Sequence, residues 1–167
     1  MLYVNNVKVT KWYLNYREDV YKYINSIVKN YSLAEDLVQE TFIKAYLKAN
    51  TFKGKSSVKT WLYSIAYNLT MDFFKKKKSI CTLQDIYIKN QDWNAILWDI
   101  RKWEANKELI VSINNLKSSY RQVIILRKLQ GYSVKETGEI LNWSENKVKV
   151  TLSRAIKYLR NQLIIEY

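Results

Sequence analysis

Four residues in the first half of the chain share a spacing suited to a contact with another protein. Asp36, Gln39, Glu40 and Ile43 follow the i, i+3, i+4, i+7 rule that places side chains on one face of a helix. An apolar residue inside an exposed polar row suits a docking surface better than it suits water. Two other readings of this face stay open: an ordinary solvated surface, and a hard-cation site built from Glu35, Asp36 and Glu40. A second group follows at once, with Lys53, Lys55 and Lys59 ahead of Tyr63, Tyr67, Asn68 and Thr70, and Lys75 to Lys78 at the end. From Lys44 to Lys78 there are nine lysines against the single acid Asp72, a local balance of +8. Rings interleaved with lysines match the chemistry of single-strand binding, in which base faces stack and ammonium groups meet phosphates. The same rings could instead be core, and lysines at a helix end also complement its dipole, although four in a row exceed that need. Near the C-terminus, Asn146, Lys149, Val150, Ser153 and Lys157 project together, with Arg154 adjacent. Such a row on the second helix of a helix-turn-helix reads the major groove; a plain helical hairpin is the alternative.

Composition narrows the chemistry. The 167 residues contain no histidine and one cysteine, Cys81. The commonest general base and zinc ligand are therefore missing, no internal disulfide can form, and neither catalysis nor a cofactor is expected. Lys and Arg total 28 against 15 Asp and Glu, a net charge of +13, so a polyanion is the first partner to suspect and a membrane surface the second. No apolar run approaches the roughly 18 residues of a membrane span, and no signal-peptide pattern opens the chain. A cytoplasmic protein without membrane insertion is the expectation.

With no Pro and three Gly, the chain reads as helices joined by short turns. Residues 1–11 show no period and read as a loose start. From Trp12 the positions Tyr13, Tyr16, Val20, Tyr23, Ile24, Ile27 and Val28 make one face of a helix ending near Asn30. Ser32 and Glu35 have capping-box spacing at the start of the next helix, which should bury Ala34, Leu37, Val38, Thr41, Phe42, Ala45 and Ala49. Residues 51–60, with Gly54 and two serines, cannot form a good helix, and Ser57 is a candidate N-cap for a third helix. That helix buries Leu62, Ile65, Ala66, Leu69 and Phe73, leaving Tyr63, Tyr67, Asn68 and Thr70 away from that row. Residues 79–91 are a candidate linker, and Trp93, Ile96, Leu97, Ile100 and Trp103 mark a further helical face. Ser119–Gln130 reads as a helix closed by Gly131, Ser133–Leu141 as a short one, and Ser144 as the cap of a longer one. Gly138 and Asn142 occupy the close crossing and the left-handed turn of a helix-turn-helix. Trp143, Val148, Leu152, Ala155 and Leu159 form its buried side.

Three stretches together resemble the extracytoplasmic-function sigma factors, the small members of the sigma-70 family. AEDLVQETFIKAY (34–46) is similar to region 2.2, TFKGKSSVKTWLYSIAYNLTMDFFKKKK (51–78) to regions 2.3 and 2.4, and YRQVIILRKLQGYSVKETGEILNWSENKVKVTLSRAIKYLR (120–160) to region 4. The resemblance implies an all-α chain of two small helical domains, residues 1–78 and 92–167, joined by a linker over 79–91. It implies that Asp36, Gln39, Glu40 and Ile43 dock on the clamp helices of the polymerase β′ subunit. Phe52, Lys53, Lys55, Lys59, Tyr63, Tyr67, Asn68, Lys75 and Lys76 would then bind and melt the −10 promoter element, with a flipped base near Phe52 and Asn68. Asn146, Lys147, Lys149, Val150, Ser153, Arg154 and Lys157 would read the −35 element. Core RNA polymerase (β′ clamp helices and β flap), promoter DNA and an anti-sigma factor are the implied partners. The sequence departs from the family at Leu116-Lys117, where Leu-Pro is usual, at Asn142-Trp143 in place of Gly-Ile, and at Lys147-Val148 in place of Thr-Val. A stand-alone helix-turn-helix regulator is the alternative function, and a carboxylate-dependent nuclease a remote third.

Overall fold

The structure, a computed structural model, describes residues 2–80 and 107–165. Among these every regular element is helical. The chain divides into two compact units, 1–96 and 97–167. The 79–91 linker and the helix expected from Asp92 fall largely outside the described residues, although Ser79 and Ile80 belong to the third helix.

The first unit packs α1 (Leu2–Val28), α2 (Tyr31–Lys48) and α3 (Val58–Ile80) against one another. α1 begins ten residues earlier than the sequence suggests. Val9 and Trp12 are buried, and with Val20, Tyr23, Ile24 and Ile27 they carry the apolar stripe one turn further back. Lys29 takes a left-handed conformation (φ 52°), which ends α1 and leaves only Lys29 and Asn30 between the helices. The cap of α2 also differs from expectation. Asn30, not Ser32, accepts the Leu33 N–H at 2.9 Å, and Ser32 lies exposed inside the helix. Glu35 is consequently free to turn to Arg17 on α1, 2.7 Å away. The buried set expected on α2 is all buried, Ala49 included. Full burial of one such aliphatic side chain contributes about 1.5–3 kcal/mol, so the stripe outweighs any single cap.

After a short 3-10 turn at Ala49–Thr51 the loop passes Gly54 at φ 68°. Ser57 then caps α3, accepting the Thr60 N–H at 3.0 Å.

The second unit contains α4 (Lys107–Asn115), α5 (Ser118–Ile124), α6 (Val134–Leu141) and α7 (Glu145–Ile165). Ile113, Leu116, Val123, Ile124, Val148, Ala155 and Leu159 form its core, with Trp143 and Leu152 packed against them. The helix expected over 119–130 is not regular throughout. After Ile124 it widens over Ile125–Leu129, where the Gln130 N–H reaches back five residues to the Ile125 carbonyl at 2.9 Å. Gln122 to Leu126 are all buried, so this stretch is enclosed on every side and not along one face only. Arg127 ties this end down by donating to the Tyr132 carbonyl. α6 opens on a capping box in which Ser133 and Glu136 exchange side-chain and backbone bonds. It ends at Asn142, left-handed at φ 54°, and Ser144 caps α7 through the Lys147 N–H at 3.2 Å. At Gly138 a Cβ would stand 2.7 Å from the Trp143 carbonyl oxygen, so glycine alone fits the crossing.

These contacts can be tested through stability. Asn30→Ala should lower unfolding free energy by about 1 kcal/mol and Ser32→Ala by far less, read from urea midpoints; the reverse order would restore the Ser32 cap. Gly138→Ala should cost about 1–3 kcal/mol, because backbone must move to admit the methyl; an unchanged midpoint would mean the crossing is looser than it stands.

Candidate nucleic-acid and polymerase interface

α2 packs its alanines and Phe42 inward, and this rotation leaves Asp36, Gln39, Glu40 and Ile43 together on the outside. Ile43 is 60 % exposed. Glu40 lies 3.8 Å from the Lys44 ammonium one turn on, an exposed pair of small energetic weight. Leu47, 72 % exposed, continues the row by a further turn; its i+4 relation to Ile43 was the available signal. Glu35 stands apart from Asp36 and Glu40. Its carboxylate is held by Arg17, and the pairing raises the Arg17 pKa. The cation-site reading thereby loses one of its three carboxylates to an ion pair.

The lysine-aromatic group separates into two layers. Lys53, Lys55, Asn68, Lys75 and Lys76 are exposed. Lys59 is half-buried and reaches the Asp19 carboxylate at 2.7 Å, and Lys75 approaches Asp72 at 3.7 Å. Tyr63 and Tyr67, expected on the open side of α3, are buried to 1 % and 9 % exposure. Tyr63 stacks on Tyr23 with ring centres 4.4 Å apart and donates its hydroxyl to the Asp19 carbonyl at 3.1 Å. The reason is geometric: α3 meets both α1 and α2, so its buried arc is wider than the single row of Leu62, Ile65, Ala66 and Leu69. Thr70 is drawn in as well and bonds back to the Ala66 carbonyl at 2.8 Å. Burial also pushes the Tyr67 hydroxyl pKa up. Phe73, assigned to the buried row, is only half-buried.

Phe52 is half-buried, its ring centre 5.7 Å from Trp12 and 5.0 Å from Trp61, and those two rings meet edge to face at 5.6 Å. The Lys8 ammonium lies 5.1 Å from the Trp12 ring centre and 5.8 Å from Phe52. Neither tryptophan nor Lys8 stood among the sequence candidates. The Val9–Trp12 spacing could have extended α1 and brought Lys8 with it.

On α7 the candidates fall on one side. Asn146, Lys147, Lys149, Val150, Ser153, Arg154 and Lys157 are all exposed, while Val148, Ala155 and Leu159 face the core. The short α6, the left-handed Asn142 and the crossing at Gly138 complete a helix-turn-helix.

Family models bring these units together: sigma-70 region 2 matches residues 12–80 and sigma-70 region 4 matches residues 106–159. The chain belongs to the sigma-70 family, among its extracytoplasmic-function RNA polymerase sigma factors. It is 37 % identical to the sigma factor SigX of Bacillus subtilis, over 90 % of this chain and 81 % of that one. With SigM of the same organism it shares 34 % over 89 % and 90 % of the two chains. The fold is similar to that of the sigma factor RpoE solved in complex with the anti-sigma factor NepR from Bartonella quintana. That likeness has a TM-score of 0.72 and 22 % identity, and it covers 95 % and 98 % of the chains. CnrH, solved with the cytosolic domain of CnrY, matches at a TM-score of 0.65 and 18 % identity over 95 % and 89 %. This sigma factor is thus a transcription initiation factor by family, and a stand-alone regulator would not carry region 2. No helix among its described residues is long and apolar enough to cross a membrane.

The two layers of α3 should separate in mutants. Tyr63→Ala should destabilise the sigma factor by about 3–5 kcal/mol, as for other buried aromatics, whereas Asn68→Ala should stay within about 0.5 kcal/mol. Denaturant titration of both variants measures this, and equal effects would contradict the division.

Proposed function

We propose that this sigma factor docks on core RNA polymerase through α2, opens and reads the −10 element with α3 and its preceding loop, and reads the −35 element with α7. The observation that carries the reading is the polar row Asp36, Gln39 and Glu40, which stays outward with Ile43 and Leu47 beside it. An exposed apolar pair flanked by carboxylates and an amide suits a partner that brings both an apolar surface and cations. The clamp helices of the β′ subunit are that partner in this proposal, with the β flap receiving the second unit.

Lys53, Lys55, Lys75 and Lys76 would supply salt-dependent affinity for the phosphates of the −10 strand. Asn68 is exposed on α3 and free to meet a base edge, and the half-buried Phe52 offers a ring edge on the loop that precedes this helix. Tyr63 and Tyr67 act from beneath, by holding the helix that carries Asn68. On α7, Arg154, Lys149 and Asn146 have the donors that base edges and phosphates take in the major groove, and Lys157 meets the backbone. The work is recognition and strand opening, without bond chemistry, and it would take place in the cytoplasm. An anti-sigma factor belongs to the proposal too, since RpoE is solved with NepR.

Asp36→Ala combined with Glu40→Ala should weaken binding to core polymerase about tenfold, equivalent to about 1.4 kcal/mol, and leave the thermal midpoint unchanged. Run-off transcription at limiting sigma factor should fall in parallel and recover when the variant is in excess. Wild-type affinity for core would remove the docking role of α2.

A further inference from the structure

We propose that Trp143 is a positioning residue for the −35 element: its ring holds the Lys147 ammonium at the first turn of α7, presenting a preorganised cation to the duplex. The inference rests on the reading of α7 as the DNA-facing helix, and concerns the two positions at which this chain carries Trp and Lys.

Ser144 is the N-cap of α7, since its side chain accepts the Lys147 N–H. Trp143 therefore precedes the cap, Lys147 is the third helical residue and Val148 the fourth. Trp143 and Val148 belong to one apolar cluster, the staple that fixes the entry angle of a helix. The Trp143 backbone is held as well. Its N–H donates to the Gly138 carbonyl at 2.9 Å, and its own carbonyl lies where a Cβ at position 138 would come within 2.7 Å. The ring is anchored from both backbone and core, and the Lys147 Nζ sits 4.3 Å from its centroid.

A lysine at this position works against the fold. The first turn is the positive end of the helix dipole and favours acids, as Glu145 illustrates. Lys147 is exposed and supports no buried contact, yet the negative face of the indole offsets the repulsion. A local rule broken at an exposed position and compensated by a neighbour is the pattern expected of a binding residue. Laid on a fixed ring, the side chain loses less rotamer freedom on meeting an acceptor, and the ammonium keeps donors for a phosphate or base edge. Lys149, Val150, Ser153 and Arg154 continue the same exposed side, so the held cation extends their row toward the turn.

The test uses full-length sigma factor with core polymerase and a promoter duplex selected from random sequence by the wild-type holoenzyme. Lys147→Met and Trp143→Leu should each weaken binding about two- to fivefold, the double variant no more than Lys147→Met alone, and Trp143→Phe should restore most of the loss. The salt slope should fall by about one in Lys147→Met. In the unaltered protein the Lys147 ε-methylene protons should be shifted upfield by the ring; an unshifted signal overturns the proposal whether or not any variant folds. Independent, multiplying losses in the double variant overturn it as well, because they leave Trp143 a packing role only. Wild-type binding by both Lys147→Met and Arg154→Ala would instead remove the DNA-facing reading of α7 itself.

Discussion

The stack of Tyr63 on Tyr23 sets the rotation of α3, and every outward residue of that helix depends on it. With the two rings parallel at 4.4 Å and the Tyr63 hydroxyl on the Asp19 carbonyl, α3 cannot turn about its axis without exposing an aromatic ring and abandoning a hydrogen bond. Leu62, Ala66 and Leu69 fall inward as a result, and Asn68 falls outward. Asp19 serves both links, its carbonyl taking Tyr63 and its carboxylate taking Lys59. A core contact and a surface ion pair are thus joined at one residue of α1.

That geometry sorts the lysines by duty. Lys59 is committed to Asp19 at 2.7 Å, so its charge is already matched before any polyanion arrives. Lys53 and Lys55 are exposed in a loop, with Gly54 between them in a left-handed conformation. A net charge of +13 would favour expansion through self-repulsion, and it also draws the chain to a polyanion from a distance. Placing most of the local surplus on a loop and a helix end keeps the repulsion off the packed faces. The aromatic cluster of Trp12, Phe52 and Trp61 gives that loop a fixed root, so lysines on a short tether are carried by a rigid base rather than by a free segment.

How much of this could be read from the chain depends on how wide an arc each helix buries. α2 and α7 each bury one stripe, and for both the periodicity separated inward from outward residues: Asp36 to Ile43 and Asn146 to Lys157 lie where the spacing put them. α3 buries a wider arc that takes in Tyr63, Tyr67 and Thr70, which a single-row pattern leaves outside. Caps were legible only in part. Ser57 and Ser144 act as their spacing suggested, whereas Ser32-x-x-Glu35 has the signature of a capping box and is none, because Asn30 offers a cap two residues earlier and Arg17 claims Glu35. Ser133-x-x-Glu136 carries the same signature and is one. The difference lies in long-range contacts that no local pattern contains. The Trp12–Phe52–Trp61 cluster was hidden for the same cause, being assembled from three separate stretches.

The second unit shows the opposite arrangement, in which two backbone contacts define the surface proposed to read the −35 element. The Gly138–Trp143 approach and the left-handed Asn142 fix the angle between α6 and α7, and no side chain on the exposed side of α7 is needed to maintain it. The exposed row can therefore vary without moving this crossing, which is the condition a family needs if members are to read different promoters on one scaffold. Under the proposed division of labour neither unit has to bind tightly. Two weak contacts held on one chain gain effective concentration from the tether, and their joint occupancy depends on both elements being present at once. A sigma factor built this way would discriminate promoters by requiring coincidence, and its two units could be tuned separately.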